Sequence, residues 1–137
     1  MKESQAPTPG KKSARTKPQI LIVDDERAIR TTLQQFLEIK GYATSGAHGG
    51  RQALSLLSGA PNAYALVILD IRMPHLSGLE TYPLLREICP ELPVILASAD
   101  PPSVEISSLL KNESILFIQK PYGLQQILRL IVEFLGE

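Results

Sequence analysis

The stretch QILIVDDERAIR, Gln19 to Arg30, drives four aliphatic residues straight into Asp24, Asp25 and Glu26. Ile20–Val23 has the length and composition of a strand covered on both faces. A helical period follows, with Ile29, Leu33, Phe36 and Leu37 on one face and Gly41 as the stop. A buried strand that ends by crowding carboxylates together needs something to compensate them. That requirement organises the rest of the chain.

Working outward, short apolar runs alternate with longer amphipathic stretches. Tyr42–Ala47 reads as a second, weaker strand, and Gly50–Leu57 as a helix using Ala53, Leu54 and Leu57. Ala65–Leu69 is apolar throughout and is the strongest strand. Ser77-Gly-Leu-Glu80 is a capping box that opens a third helix, with Pro83 inside it to bend or delay the regular turns. Pro93–Ala97 is a fourth strand. Asp100 followed by Pro101 suits an N-cap and first helical position, predicting a fourth helix to about Lys111. Ile115–Ile118 and Leu124–Leu135 supply the last strand and helix. Five strands alternating with five helices imply an α/β fold, a parallel sheet covered on both faces. Right-handed crossovers and short loops favour the doubly wound strand order 2-1-3-4-5.

The chain has 137 residues, enough for one domain with a real core, and is 44% hydrophobic and 20% charged. No apolar run is long enough for a membrane span, and the N-terminus lacks a signal-peptide core. The single cysteine, Cys89, has no catalytic signature around it and reads as structural. The formal net charge of zero hides a basic segment, residues 1–18, at +4 against −4 for the remainder. That segment is rich in Pro, Ser, Thr and Lys and reads as a disordered tail or linker ahead of a domain at 19–137. Without interleaved aromatics it predicts no direct nucleic-acid binding.

In a doubly wound sheet, ligands bind beyond the carboxyl ends of the strands. Those ends carry Asp24-Asp25, Asp70, Ser98 and Lys120. Singly, each has an ordinary explanation, as helix cap or solvated rim charge; together they define one basin. Two carboxylates ~5 Å apart repel by roughly 3 kcal/mol at an effective dielectric of about 20. One lysine cannot neutralise three acids, so a hard divalent cation with oxygen ligands is implied, and Mg2+ commonly completes its shell with phosphate oxygens.

The set Asp24-Asp25, Asp70 with Met73-Pro74, Ser98-Ala99 and Lys120-Pro121 resembles the receiver domain of two-component response regulators, over about residues 19–135. The resemblance implies a flavodoxin-like (βα)5 fold and a cytoplasmic regulatory domain, not an enzyme acting on a separate substrate. It implies that Asp70 is the phosphoacceptor for the phosphohistidine of a histidine kinase or phosphotransfer protein, with self-catalysed transfer and autodephosphorylation. Asp25, Asp70 and the Arg72 backbone carbonyl would ligate Mg2+ (or Mn2+), with Asp24 acting through water. Lys120 would pair with Asp70 or a phosphoryl oxygen, Ser98 would donate to the phosphoryl group, and the small Ala99 would leave room for attack. Phe117 matches the aromatic switch position, with ordinary packing on the fifth strand as the alternative, and a cis bond is implied at Lys120–Pro121. Arg72 and Asp100 would overhang the site and tune phosphate lifetime, by screening the phosphoryl group or pairing with each other.

The sequence departs from the family pattern in places. Ser98 stands where Thr is common, keeping the hydroxyl. Pro101-Pro102 stiffens the loop after Ser98, and Lys111–Ser114 lacks a frequent Gly-Ala. In the last helix, Leu130, Val132 and Phe134 widen the stripe set by Leu124, Ile127, Leu128, Ile131 and Leu135. This predicts exposed apolar surface for a homodimer or output domain on the fourth helix, fifth strand and fifth helix. His48 and His75 read as surface residues. A haloacid-dehalogenase-type phosphatase would want an Asp where Arg72 stands, and a dinucleotide-binding fold would want a Gly-rich turn after the first strand. Use of the fold purely for docking is the remaining rival.

Overall fold

The computed structural model describes residues 17–112 and 114–136, so most of the basic segment lies outside the described residues. Five parallel strands, β1 (Gln19–Val23), β2 (Ala43–Ala47), β3 (Leu66–Asp70), β4 (Val94–Ser98) and β5 (Ile115–Gln119), pair in the order β2-β1-β3-β4-β5. This is the 2-1-3-4-5 order. The helices between and after them are α1 (Arg27–Ile39), α2 (Gly50–Gly59), α3 (Gly78–Ile88), α4 (Val104–Leu109) and α5 (Leu124–Leu135). Most boundaries fall within a residue or two of the sequence pattern, as helix and strand ends do.

The side chains of the central strands alternate between two cores. Leu21, Val23, Val67, Leu69, Val94 and Leu96 face α2, α3 and α4, where Leu57, Leu85 and Ile106 meet them. Ile20, Ile22, Leu66, Ile68 and Ile95 face α1 and α5, against Leu33, Leu37, Ile127 and Ile131. β3 and β4 are buried at every position, which explains why their sequences are apolar without alternation. Each completely buried Leu or Ile removes enough apolar area from water to contribute about 1.5–3 kcal/mol.

Local signals fix the element ends. Gly41 takes φ 101° just after α1, a left-handed conformation that stops the helix and suits glycine. At α3, Ser77 Oγ accepts the Glu80 N–H at 3.1 Å while Glu80 Oε1 accepts the Ser77 N–H at 2.9 Å, completing the capping box. Pro83 is exposed within that helix, which runs unbroken to Ile88. Glu26 stands one residue ahead of α1, in the N-cap position, and not in its first turn. Cys89 is buried at the end of α3, its thiol donating to the Pro61 carbonyl at 3.4 Å.

Two expectations are corrected. Asp100 does not cap α4: the cap is Ser103, whose Oγ accepts the Ile106 N–H at 3.1 Å, and the helix covers only Val104–Leu109. Pro102 pushes the residue before it out of helical backbone space, so Pro101 cannot begin a helix. The widened α5 stripe also leaves less apolar surface open than its sequence predicts. Leu130, Val132 and Phe134 are half-buried; α5 packs against α1 as well as the sheet, which puts Leu130 and Phe134 on the same core as Phe36. Among the described residues the exposed large apolar residues are Ile39, Leu84 and Val104, the last on α4 and so on the predicted face. No described helix is long and apolar enough to cross a membrane.

Candidate functional site

The carboxyl ends of β1, β3, β4 and the segment after β5 open on one basin. Asp24 follows β1, is 4% exposed, and is held at four atoms. Its N–H donates to the Ala47 carbonyl at 3.1 Å, and its Oδ1 accepts the Glu26 N–H at 2.9 Å. Its Oδ2 accepts from Lys120 Nζ at 3.0 Å, and its carbonyl accepts from Arg30 Nη1 at 2.7 Å. Asp25 is exposed, and its side chain makes no hydrogen bond or ion pair among the described residues. Asp70 ends β3, itself 4% exposed, with Lys120 Nζ 3.4 Å from its Oδ1.

Oxygens of Asp24, Asp25 and Asp70 all lie within 4.8 Å of one another. Burial, together with the Asp24 charge, pushes the Asp70 carboxyl up from its ordinary 3.8 to about 6. Lys120 and the Arg72 backbone N–H hold it back from rising further. For Lys120, burial favours the neutral amine, but its hydrogen bond to Asp24 and the charge of Asp70 outweigh that and raise its pKa. One ammonium therefore serves two buried acids and leaves a third open to solvent. This donor set, carboxylates around a partly exposed Asp25, fits a hard divalent cation.

The rim is built from the neighbouring loops. Ser98, buried at the end of β4, accepts the Asp100 N–H on its Oγ at 3.1 Å and the Lys120 N–H on its carbonyl at 2.8 Å. Ala99 beside it is exposed. The Lys120–Pro121 bond is cis. Arg72 and Asp100 form an ion pair at 2.6 Å across the mouth, with side chains 74% and 59% exposed. The Asp100 carboxylate therefore faces Arg72 and not a helix terminus. Phe117 is half-buried on β5, packed towards the α2–α4 core. His48 and His75 are both exposed and, with Asp25, line a separate shallow cleft between the loops after β2 and β3.

Three contributors escaped the sequence reading. Gly78 donates to the Ile71 carbonyl at 2.8 Å, and a Cβ there would collide with the Asp70 carbonyl oxygen and lie 2.7 Å from Ile71 Cα. A glycine just inside the capping box was the available signal. His75 takes φ 70°, a left-handed conformation that costs an L-residue roughly 1–2 kcal/mol. Tyr122, just beyond Pro121, is half-buried against a cleft of ≈ 600 Å³ that also includes Lys120, and burial pushes its hydroxyl up to about 12.

The response regulator receiver domain model matches residues 20–132. The chain belongs to the response-regulator receiver family. Among curated relatives, Response regulator MprA of Mycolicibacterium vanbaalenii is 37% identical over 110 residues, covering 80% of this chain and 46% of that protein. The chain thus spans about half the length of the curated relatives it matches. Among solved structures, a CheY-like receiver domain protein from Methanospirillum hungatei is 28% identical with a TM-score of 0.78, over 88% of this chain and 95% of that one. The chemotaxis protein CheY4 of Vibrio cholerae, at 24% identity and a TM-score of 0.77, covers 87% of this chain and 99% of its own and shares the fold. The receiver domain is a signalling module of two-component systems, and the curated relatives named here are bacterial.

Proposed function

We propose that this receiver domain accepts a phosphoryl group on Asp70 from the phosphohistidine of a histidine kinase or phosphotransfer protein, or from a small phosphodonor. The observation that carries the reading is Asp70 itself: a buried strand-end carboxylate, 3.4 Å from Lys120 Nζ and clustered with Asp24 and Asp25. A carboxylate oxygen of Asp70 attacks phosphorus, the P–N bond breaks as the P–O bond forms, and the departing imidazole takes a proton from solvent. Lys120, already between Asp24 and Asp70, is within reach of charge on the incoming group. Ser98, anchored through the Asp100 N–H, donates its hydroxyl proton to a phosphoryl oxygen, and Ala99 keeps the approach open.

Mg2+, or Mn2+ in its place, would be held by Asp25, Asp70, the Arg72 carbonyl and, through water, Asp24, and would neutralise charge on the acids and the phosphoryl group. The Arg72–Asp100 pair screens the rim and tunes the rate at which water removes the phosphate. Movement of Ser98 towards the phosphoryl group, followed by Phe117, would carry the signal to the face of α4, β5 and α5, where a second copy or an output domain is controlled. We place the domain in the cytoplasm, where its kinase would reach it.

Incubation with Mg2+ and acetyl phosphate, followed by intact mass, tests this reading. The wild type gains one phosphoryl group, and EDTA or Asp70→Asn abolishes the gain. An adduct that persists in Asp70→Asn overturns the assignment. Turnover of a phosphomonoester dependent on Asp70 would favour the phosphatase rival, although Arg72 occupies the place of that class's second acid.

A further inference from the structure

Asp24 and Asp25 share a strand end but are held very differently. Asp24 is fixed at its N–H, its carbonyl and both carboxylate oxygens. The Asp25 side chain is exposed with no such partner among the described residues. The direction in which Asp25 projects is therefore set by its backbone, above all by the peptide unit joining it to Asp24. The carbonyl of that unit is the group that Arg30 grips at 2.7 Å.

We propose that Arg30 is a positioning residue: by clamping the Asp24 carbonyl it fixes the Asp24–Asp25 peptide and so aims the Asp25 carboxylate into the basin. The inference rests on the reading of Asp25 as a cation ligand. Arg30 lies in the first turns of α1, half-buried, and its guanidinium must reach back past the end of β1. Gly46, paired with Ile22 across the β1–β2 ladder, makes the room. A Cβ at that position would stand 2.8 Å from Gln34 Oε1 and 3.1 Å from Arg30 Cδ. The Arg30 stem thus runs over a bare stretch of the edge strand to a charge-assisted hydrogen bond.

Two consequences of removing Arg30 oppose each other. Losing a cation near three acids would tighten divalent-ion binding, whereas losing the clamp would loosen it. Groups that orient metal ligands typically change metal affinity 10–100-fold when removed. If Arg30 acts by position, Arg30→Met weakens Mg2+ binding about tenfold, the low end of that range. Gly46→Val keeps the guanidinium but displaces its stem, and so weakens Mg2+ binding in the same direction. Arg30→Lys, which keeps charge and most of the stem, falls between wild type and Arg30→Met.

The test is Mg2+ titration of the folded proteins at constant ionic strength, followed by backbone amide NMR shifts, beside thermal unfolding in EDTA. Weaker Mg2+ binding in both Arg30→Met and Gly46→Val supports the proposal. Wild-type or tighter binding in both overturns it, as does lowered stability in EDTA with unchanged Mg2+ affinity, the mark of a merely structural arginine. If Gly46→Val does not fold, Gly46→Ala applies the same displacement more gently and is read in the same way. Failure of the wild type to bind Mg2+ would remove the underlying reading of Asp25. Wild-type binding with unaffected variants would remove only the role of Arg30.

Discussion

Replacing Asp70 by Asn should make the metal-free protein more stable, although Asp70 is the proposed phosphoacceptor. The carboxyl rises from 3.8 to about 6 on folding because burial and Asp24 both oppose its ionisation. Converted in full, that rise is a penalty of ~3 kcal/mol at neutral pH. Asp70 is only 4% exposed, but its carboxylate borders an open basin where water screens it, so about half, on the order of 1–2 kcal/mol, is the expected gain. The amide keeps the shape and an oxygen to accept from Lys120. The pH dependence follows from linkage: the native state holds the Asp70 proton between about 6 and 3.8, where the unfolded state has lost it. This acid therefore destabilises the fold fully well above pH 6, and the penalty shrinks as pH falls from 6 and is lost below 3.8. Urea unfolding in EDTA at pH 7.5 and 4.5 measures it. Asp70→Asn should exceed wild type by on the order of 1–2 kcal/mol at the higher pH, with the gap shrinking to about a third of that at the lower. Millimolar Mg2+ should narrow the gap at pH 7.5 by stabilising wild type selectively. A variant no more stable than wild type in EDTA at pH 7.5, or a gap undiminished at pH 4.5, would refute the reasoning.

Further outcomes follow from the loops around the basin. His75→Gly should stabilise the protein by about 1 kcal/mol in thermal unfolding, because glycine accepts φ 70° without the side-chain penalty. Gly78→Ala should cost about 2 kcal/mol or more, since the added Cβ meets the backbone of Asp70 and Ile71, which cannot swing aside. Ser103→Ala should cost about 1 kcal/mol through the lost α4 cap, whereas Asp100→Ala, which breaks an exposed pair, should change stability by less than about 0.5 kcal/mol. Arg72→Ala should leave stability nearly unchanged and speed dephosphorylation a few-fold, measured by decay of the phosphoprotein; an unaltered rate would remove the screening role.

The fold was legible because β1, β3 and β4 are buried on both faces and so are written as uninterrupted aliphatic runs. The site was legible because its charged residues sit where those runs stop, a place where a carboxylate needs a reason. What was hidden depends on three-dimensional neighbours. Pro102 was a local signal against helix at Pro101, but only the folded chain shows that Arg72 claims the Asp100 carboxylate and Ser103 takes the cap. The width of the α5 stripe could not reveal its second neighbour, α1, which lies at the other end of the chain. Arg30 looked like one more polar helix residue, because its contact is a backbone carbonyl and its path depends on a glycine from another strand.

The bond between Lys120 and Asp24 joins positions 96 residues apart, one after β1 and one after β5, which come within reach only when β5 has docked beside β4. A nascent chain that has produced β1 through β4 already holds all three acids but lacks the ammonium that stands between two of them. It can present the acceptor without the group that offsets its charge. On the proposed function, the capacity to carry a phosphate is thus completed last, when the fifth strand docks on the sheet. Labelling by a phosphodonor then doubles as a report that the final strand is in place.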